Sequence, residues 1–228
     1  MSSRTNPFPG KKNTEDRSEQ IVRNIERYKI DVLVTIGGDD TNGAAKKLYE
    51  QYGIPVIGFP KTIDNDLRTH TLHHYGGQQN ETVLCPGFPS GALAIKKLTA
   101  KLHTTNESHQ RIMVLEVMGR DAGWLTGSAI FGGAQVALIP EVEMTRERKD
   151  FFFEFVKEKY MRSPKRSLII AVSEGVRWWN EEKQTLDMVY ASPDLDEYGH
   201  PRFGGISGVI ASEISKRTGI EARGQISG

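Results

Sequence analysis

Two apolar runs, DVLVTI at residues 31–36 and IPVIGF at 54–59, each break into an aspartate-rich turn. The first is followed by Gly37, Gly38, Asp39, Asp40 and Thr41, the second by Pro60, Lys61, Thr62, Ile63, Asp64, Asn65 and Asp66. Short, β-branched apolar runs bounded by such turns predict buried strands. Residues 41–52 between them have the length of a crossover helix, and Gly53 is its C-terminal stop. A strand–helix–strand unit of this kind is right-handed and lays its strands parallel, so both turns reach the carboxyl ends of neighbouring strands, where α/β sheets bind ligands. Four acidic side chains (Asp39, Asp40, Asp64, Asp66) would then crowd one rim beside two glycines and Lys61. That much like charge is costly unless a cation is shared, and Mg²⁺ with a phosphate meets the need.

The same alternation continues along the chain. Residues 15–28 predict a helix with Ile21, Val22, Ile25 and Tyr28 on one face, and residues 1–14, rich in polar residues, Pro and Gly, predict a loop. Residues 67–88 carry three histidines and paired glycines and predict a long irregular connection. A helix over 90–102, a strand over 111–118, a short strand over 134–140, an amphipathic helix over 145–161 and a buried strand over 167–174 follow. In the 145–161 helix the expected stripe is Phe152, Phe155, Val156 and Tyr160. Residues 180–204 are polar and turn-rich, and a last helix over 206–217 stops at Gly219. Strands alternating with helices indicate an α/β fold, doubly wound, with mostly parallel sheets and helices on both faces. Composition marks no domain boundary; the expected division is 1–140 and 141–228, near residues 140–148.

Thirty basic and 29 acidic residues leave a formal charge of +1, which argues against a broad nucleic-acid or membrane surface. One cysteine, Cys85, excludes an internal disulfide, and a cytoplasmic chain is the simpler expectation. The first ten residues lack the apolar core of a signal peptide, and no run approaches membrane-spanning length.

Four expected strand ends carry polar punctuation: Gly37 to Asp40, Lys61 to Asp66, Met118–Gly119–Arg120, and Glu174–Gly175. All four are expected along one sheet rim. Paired glycines let backbone N–H groups approach phosphate oxygens, and a following helix adds its dipole. Taken alone, each motif has a plainer reading. Gly-Gly-Asp is as readily an ordinary turn, and the Asp64–Asn65–Asp66 segment suits an Asx turn or a helix cap. Arg120 and Glu174 could be solvated strand-end charges. His70, His73 and His74 lack the partners of a metal site and read as loop residues. Cys85 reads as buried rather than reactive, and Trp178–Trp179 as packing.

In order and spacing, these segments resemble the phosphofructokinase family. The resemblance is carried by Ser2 to Arg4, Ile36 to Thr41, Pro60 to Asp66 and Ser108 to Ile112, then by Glu116 to Gly123, Ser173 to Gly175 and Thr218 to Arg223. It implies phosphoryl transfer to the 1-hydroxyl of fructose 6-phosphate. Asp64 matches the general base, and Asp39 and Asp66 the carboxylates associated with a Mg²⁺ cofactor. Thr62, Met118, Gly119, Arg120 and Glu174 match sugar-phosphate contacts. Arg111 and Arg223 match arginines that reach the sugar phosphate across a subunit interface, which implies a homo-oligomer, a dimer or tetramer. Arg4 and Gly38 match the donor side. ATP-using members carry glycine where this chain has Asp40 and Lys61, and the Asp–Lys pair is similar to the pyrophosphate-dependent branch. Electrostatics agrees: a carboxylate ~4 Å from an α-phosphate charge is repelled by about 4 kcal/mol at an effective dielectric near 20. Lys61 offers a point charge to the shorter donor and to the transition state.

The match departs at its ends. The family's opening strand and Gly-rich donor loop would precede Arg4, and its second domain would continue beyond Arg223. An internal fragment, with little activity by itself, is therefore expected. The ATP-dependent reaction and a non-catalytic subunit of the same fold are the alternatives. A diacylglycerol- or NAD-kinase-like protein shares the Gly-Gly-Asp turn but not the later motifs.

Overall fold

A computed structural model describes residues 7–8, 15–66, 68–69, 81–82, 84–195 and 201–227. Two compact bodies emerge, Met1–Thr62 with Asp194–Pro201, and Ile63–Pro193 with Arg202–Gly228. The segment 140–148, the boundary expected from the sequence, runs inside the second body.

The first body contains α1 (Ser18–Arg27), β1 (Leu33–Gly37), α2 (Asp39–Tyr52) and β2 (Val56–Pro60). The strands pair in parallel with Leu33 opposite Val56 and Gly37 opposite Pro60. Helix α2 ends where Gly53 turns left-handed (φ 67°), the conformation glycine adopts most cheaply. Phe8, Ile25, Leu48 and Ile54 form a small core with Leu33 and Val56 packed against it. The opposite face of the two strands, Val34, Ile36, Ile57 and Phe59, is exposed.

The second body begins with a short antiparallel pair, β3 (Arg68–Thr69) and β4 (Glu81–Thr82). Then come α3 (Phe88–His109), β5 (Ile112–Val117), α4 (Trp124–Gly127), a 3₁₀ turn (Ser128–Gly132), β6 (Val136–Leu138), α5 (Arg146–Arg162) and β7 (Leu168–Ser173). After these run β8 (Trp178–Asn180), β9 (Thr185–Asp187), β10 (Tyr190–Leu195), β11 (Pro201–Phe203), α6 (Ile206–Thr218) and β12 (Ala222–Ile226). The main sheet has the order β12-β5-β7-β6, every pair parallel. Every residue of β5 and β7 is buried, as parallel strands covered on both faces require. Alternation divides them. Ile112, Val114, Leu168, Ile170 and Val172 pack on α5 and α6. Met113, Leu115, Val117, Ile169 and Ala171 pack on α3, α4 and the 3₁₀ turn. The sheet is therefore doubly wound, as its alternating pattern predicts.

Several elements differ from expectation. Helix α3 runs seven residues beyond 102, to His109, because its polar end is held from inside: buried Asn106 donates its side-chain amide to the Leu168 carbonyl at 3.0 Å. The buried side of α5 holds Phe152, Phe153, Val156 and Lys149, whereas Phe155 and Tyr160 are only partly covered. Lys149 is buried because its ammonium meets Glu213 at 2.9 Å and the Trp179 carbonyl at 2.9 Å, and lies over the Trp178 ring. That satisfies a charge that periodicity alone sends to solvent. The turn-rich stretch 180–204 contains strands, among them the β8–β9 hairpin. The 67–88 connection falls largely outside the described residues. Among the described residues no helix is long and apolar enough to cross a membrane.

Candidate functional site

In the first body Lys61, where the second turn begins, meets the first turn. The Lys61 N–H donates to the Gly37 carbonyl at 2.8 Å, which seats Lys61 beside the turn that opens α2. Asp40 lies in the first turn of that helix, where a carboxylate suits the positive end of the dipole. Asp40 and Lys61 are exposed; the Asp39 side chain lies outside the described part of the structure. Asn42 braces the turn, donating to the carbonyls of Gly37 (2.8 Å) and Gly38 (3.2 Å) and accepting from the Thr35 hydroxyl (3.1 Å). At Gly37 a Cβ would collide with Thr41, whereas at Gly38 it would meet only the Lys61 carbonyl, at 3.9 Å. Internal packing thus requires glycine at 37 but not at 38, and the backbone at Gly38 stays open to a close ligand.

In the second body the ends of β5 and β7 are stitched together. Glu174 N–H donates to the Val117 carbonyl (3.0 Å), and Gly175 N–H to the Gly119 carbonyl (3.1 Å). Gly119 has φ 144°, a conformation closed to most side chains, and a Cβ on Gly175 would land on the Arg120 carbonyl oxygen. These glycines let Met118, Gly119, Arg120 and Glu174 share one rim. The Gly119 N–H points at a Glu174 carboxylate oxygen 3.5 Å away. Arg120 pairs with Asp121 at 2.7 Å and borders an open depression of about 340 Å³ that Glu141, Glu143, Arg148 and Arg177 also line.

Asp64 is half-buried and belongs to this second body. Its neighbours hold it in place. Ile63 packs into the α3–β5 core, and Asn65, buried and left-handed (φ 55°), accepts the Cys85 N–H at 3.0 Å. Cys85 is itself buried, as expected. Asp66 is exposed. Burial pushes the Glu174 carboxyl above its ordinary range, the charges of Glu116 and Asp64 push it further, and the Gly119 N–H and Arg120 pull the other way. Glu174, Asp64 and Arg120 therefore share one electrostatic field.

The expected common rim of four strand ends needs correction. The Gly37–Asp40 and Lys61 turns terminate the β1–β2 sheet, and Arg120 and Glu174 terminate the β5–β7 sheet. Strand-end chemistry was legible, but sheet membership depends on long-range pairing that no local pattern encodes. Arg111 and Arg223, which were not expected on that rim, stand apart from Arg120. Arg111 precedes β5, and Arg223 is the second residue of β12, at the amino edge of the sheet. Arg111 is buried and Arg223 exposed, and both face Glu221, at 3.8 Å and 3.0 Å. Arg4 lies outside the described residues.

Sequence reasoning missed three supporting residues: Asn42, Glu116 and Glu221. Asn65 carried a signal, since asparagine tolerates the left-handed conformation between two turn residues. Glu116, next to last in an apolar strand, is buried; its carboxylate accepts from the Gly205 N–H (3.0 Å), the Ser207 N–H (3.0 Å) and the Ser207 hydroxyl (2.9 Å) at the start of α6.

Among the described residues no three His, Cys, Asp or Glu side chains form a ready-made cation cage. Asp66 is exposed and offers carboxylate oxygens only. That donor chemistry fits Mg²⁺, which commonly binds one or two carboxylates and completes its shell with water and phosphate oxygens.

The family model described as phosphofructokinase matches residues 1–228. A pyrophosphate–fructose 6-phosphate 1-phosphotransferase of Streptomyces coelicolor is 38% identical over 228 residues, covering 100% of this chain and 59% of that protein. An ATP-dependent 6-phosphofructokinase of Synechocystis is 34% identical over 209 residues, covering 91% of this chain and 51% of that protein. The crystal structure of a pyrophosphate-dependent phosphofructokinase from Marinobacter aquaeolei superimposes with a TM-score of 0.64 at 23% identity, covering 92% of this chain and 47% of that one. The chain thus spans about half the length of these relatives, from 47% to 59%.

Proposed function

This chain belongs to the phosphofructokinase family, and from that membership we propose that it serves Mg²⁺-dependent phosphoryl transfer from pyrophosphate to the 1-hydroxyl of fructose 6-phosphate. One observation carries the choice of donor: the Lys61 N–H to Gly37 carbonyl bond puts Lys61 beside the turn of Gly38 and Asp40. The open backbone at Gly38 and the start of α2 receive a phosphate, and Lys61 neutralises charge on it. Exposed Asp40 repels the additional phosphate of a nucleotide. That turn accepts the short donor and resists the long one.

Asp64 takes the proton from the sugar hydroxyl as its oxygen attacks phosphorus, and the phosphoryl group passes to that oxygen while phosphate leaves. Arg120 offsets the charge that develops. Thr62, Met118, Gly119 and Glu174 orient the sugar. Arg4 is assigned to the donor side. Asp39 and Asp66 would hold Mg²⁺, which supplies charge neutralisation on the phosphate oxygens. Arg111 and Arg223, at the other end of the sheet, serve the sugar phosphate bound by a neighbouring copy, so the working form is a homo-oligomer. The cytoplasm is the compartment that fits these substrates.

Asp40→Gly tests the donor argument when ATP and pyrophosphate are assayed side by side. The substitution is expected to admit ATP by lifting a repulsion of about 4 kcal/mol at most, and to weaken the preference for pyrophosphate. ATP use that stays at zero with pyrophosphate use intact sinks the exclusion. The relatives named ATP-dependent make the side-by-side comparison essential.

A further inference from the structure

The amino edge of the main sheet presents an incompletely neutralised cation. Arg111 is buried, its side chain 8% exposed, yet among the described residues its Nε has no hydrogen-bond partner. The carboxylate it faces, Glu221, lies 3.8 Å from its Nη1, beyond hydrogen-bond range. A buried guanidinium held so loosely is costly, and a closer anion would lower that cost. Glu221 is itself half exposed and is shared, accepting from Arg223 Nε at 3.0 Å.

The backbone explains why these three residues meet. Strands β5 and β12 are parallel with Ala222 opposite Ile112, and the Ile112 N–H donates to the Glu221 carbonyl at 2.9 Å. Glu221 therefore enters the sheet beside Arg111. Arg223, two residues on, returns to the same side, as the period of a strand dictates.

We propose that Glu221 is the resting counter-ion of Arg111 and Arg223, a positioning residue that holds both guanidinium groups at this edge and gives way to a phosphate monoester. The inference rests on the reading that these arginines serve the sugar phosphate. It adds that Glu221 competes with the ligand, so its charge lowers affinity while keeping the empty site ordered. An exposed surface pair has no such consequence.

Calorimetric titration of this chain with fructose 6-phosphate and with inorganic phosphate tests it, with fructose as the uncharged control. Glu221→Gln is expected to tighten both phosphates roughly three- to tenfold, the size of a partly screened ion pair, and to leave fructose unchanged. Glu221→Asp, which keeps the charge, is expected to stay near the parent. Thermal unfolding provides the second readout: Glu221→Gln should melt lower without ligand and gain more from phosphate than the parent does. Equal or weaker phosphate binding by a folded Glu221→Gln chain overturns the proposal. Arg223→Ala distinguishes the underlying reading: if it leaves the parent's phosphate affinity untouched, the arginines are not the phosphate site, whatever Glu221 does.

Discussion

Glu174 shows how one residue carries both a structural strain and a candidate role. Its carboxyl is raised mainly by burial, then by the charges of Glu116 and Asp64. An acid with a raised pKa in the folded state contributes stability that is full below its unfolded value, 4.5, and is lost as pH rises through the folded value. Glu174→Gln should therefore be more stable than the parent at pH 7, with the two melting curves converging at pH values below 4.5. Equal destabilisation at both pH values refutes the account. A residue that weakens the fold at working pH, on a rim with Asp64 and Arg120, has the character of a functional group. Strand-end position made this residue legible in the sequence. Its field was not, because Asp64 and Glu116 approach it only after β5, β7 and the 63–65 segment are packed.

At the scale of elements, glycines and one buried carboxylate determine where the rim residues point. Gly119 and Gly175 let the β5 and β7 ends close on each other, and Glu116 secures the start of α6 through Gly205 and Ser207. Glu116→Ala would strand those buried donors and cost about 3 kcal/mol or more. Chemical denaturation should show that loss, and Glu116→Gln, which keeps an acceptor oxygen, should recover part of it. A cost under about 1 kcal/mol would mean that water replaces the carboxylate. The helices and parallel strands were visible as periodic patterns, including the stops at Gly53 and Gly219. The added length of α3 and the strands within 180–204 were not, because Asn106 and the β8–β9 pairing are satisfied by partners distant in sequence.

For the molecule as a whole, the two bodies differ in how much apolar surface they bury. In the second body β5 and β7 lie inside a four-stranded sheet covered on both faces. The first body has a small core and leaves Ile36 and Phe59 more than half exposed. Local opening follows buried contacts. Hydrogen exchange should therefore find β5 and β7 amides the best protected, and β1 and α2 amides opening at clearly lower free energy; uniform protection would contradict this division. The sequence by itself determined the α/β class, the glycine-stopped helices, the family and the residues that bring charge to strand ends, because these follow from local periodicity and short motifs. Only the tertiary structure decided that those strand ends divide between two sheets. It also decided that Glu116 caps the start of α6, and that Arg111 and Arg223 meet at Glu221. Pairing, burial and electrostatic coupling belong to groups brought together across the chain, and their energies exist only once the chain has folded.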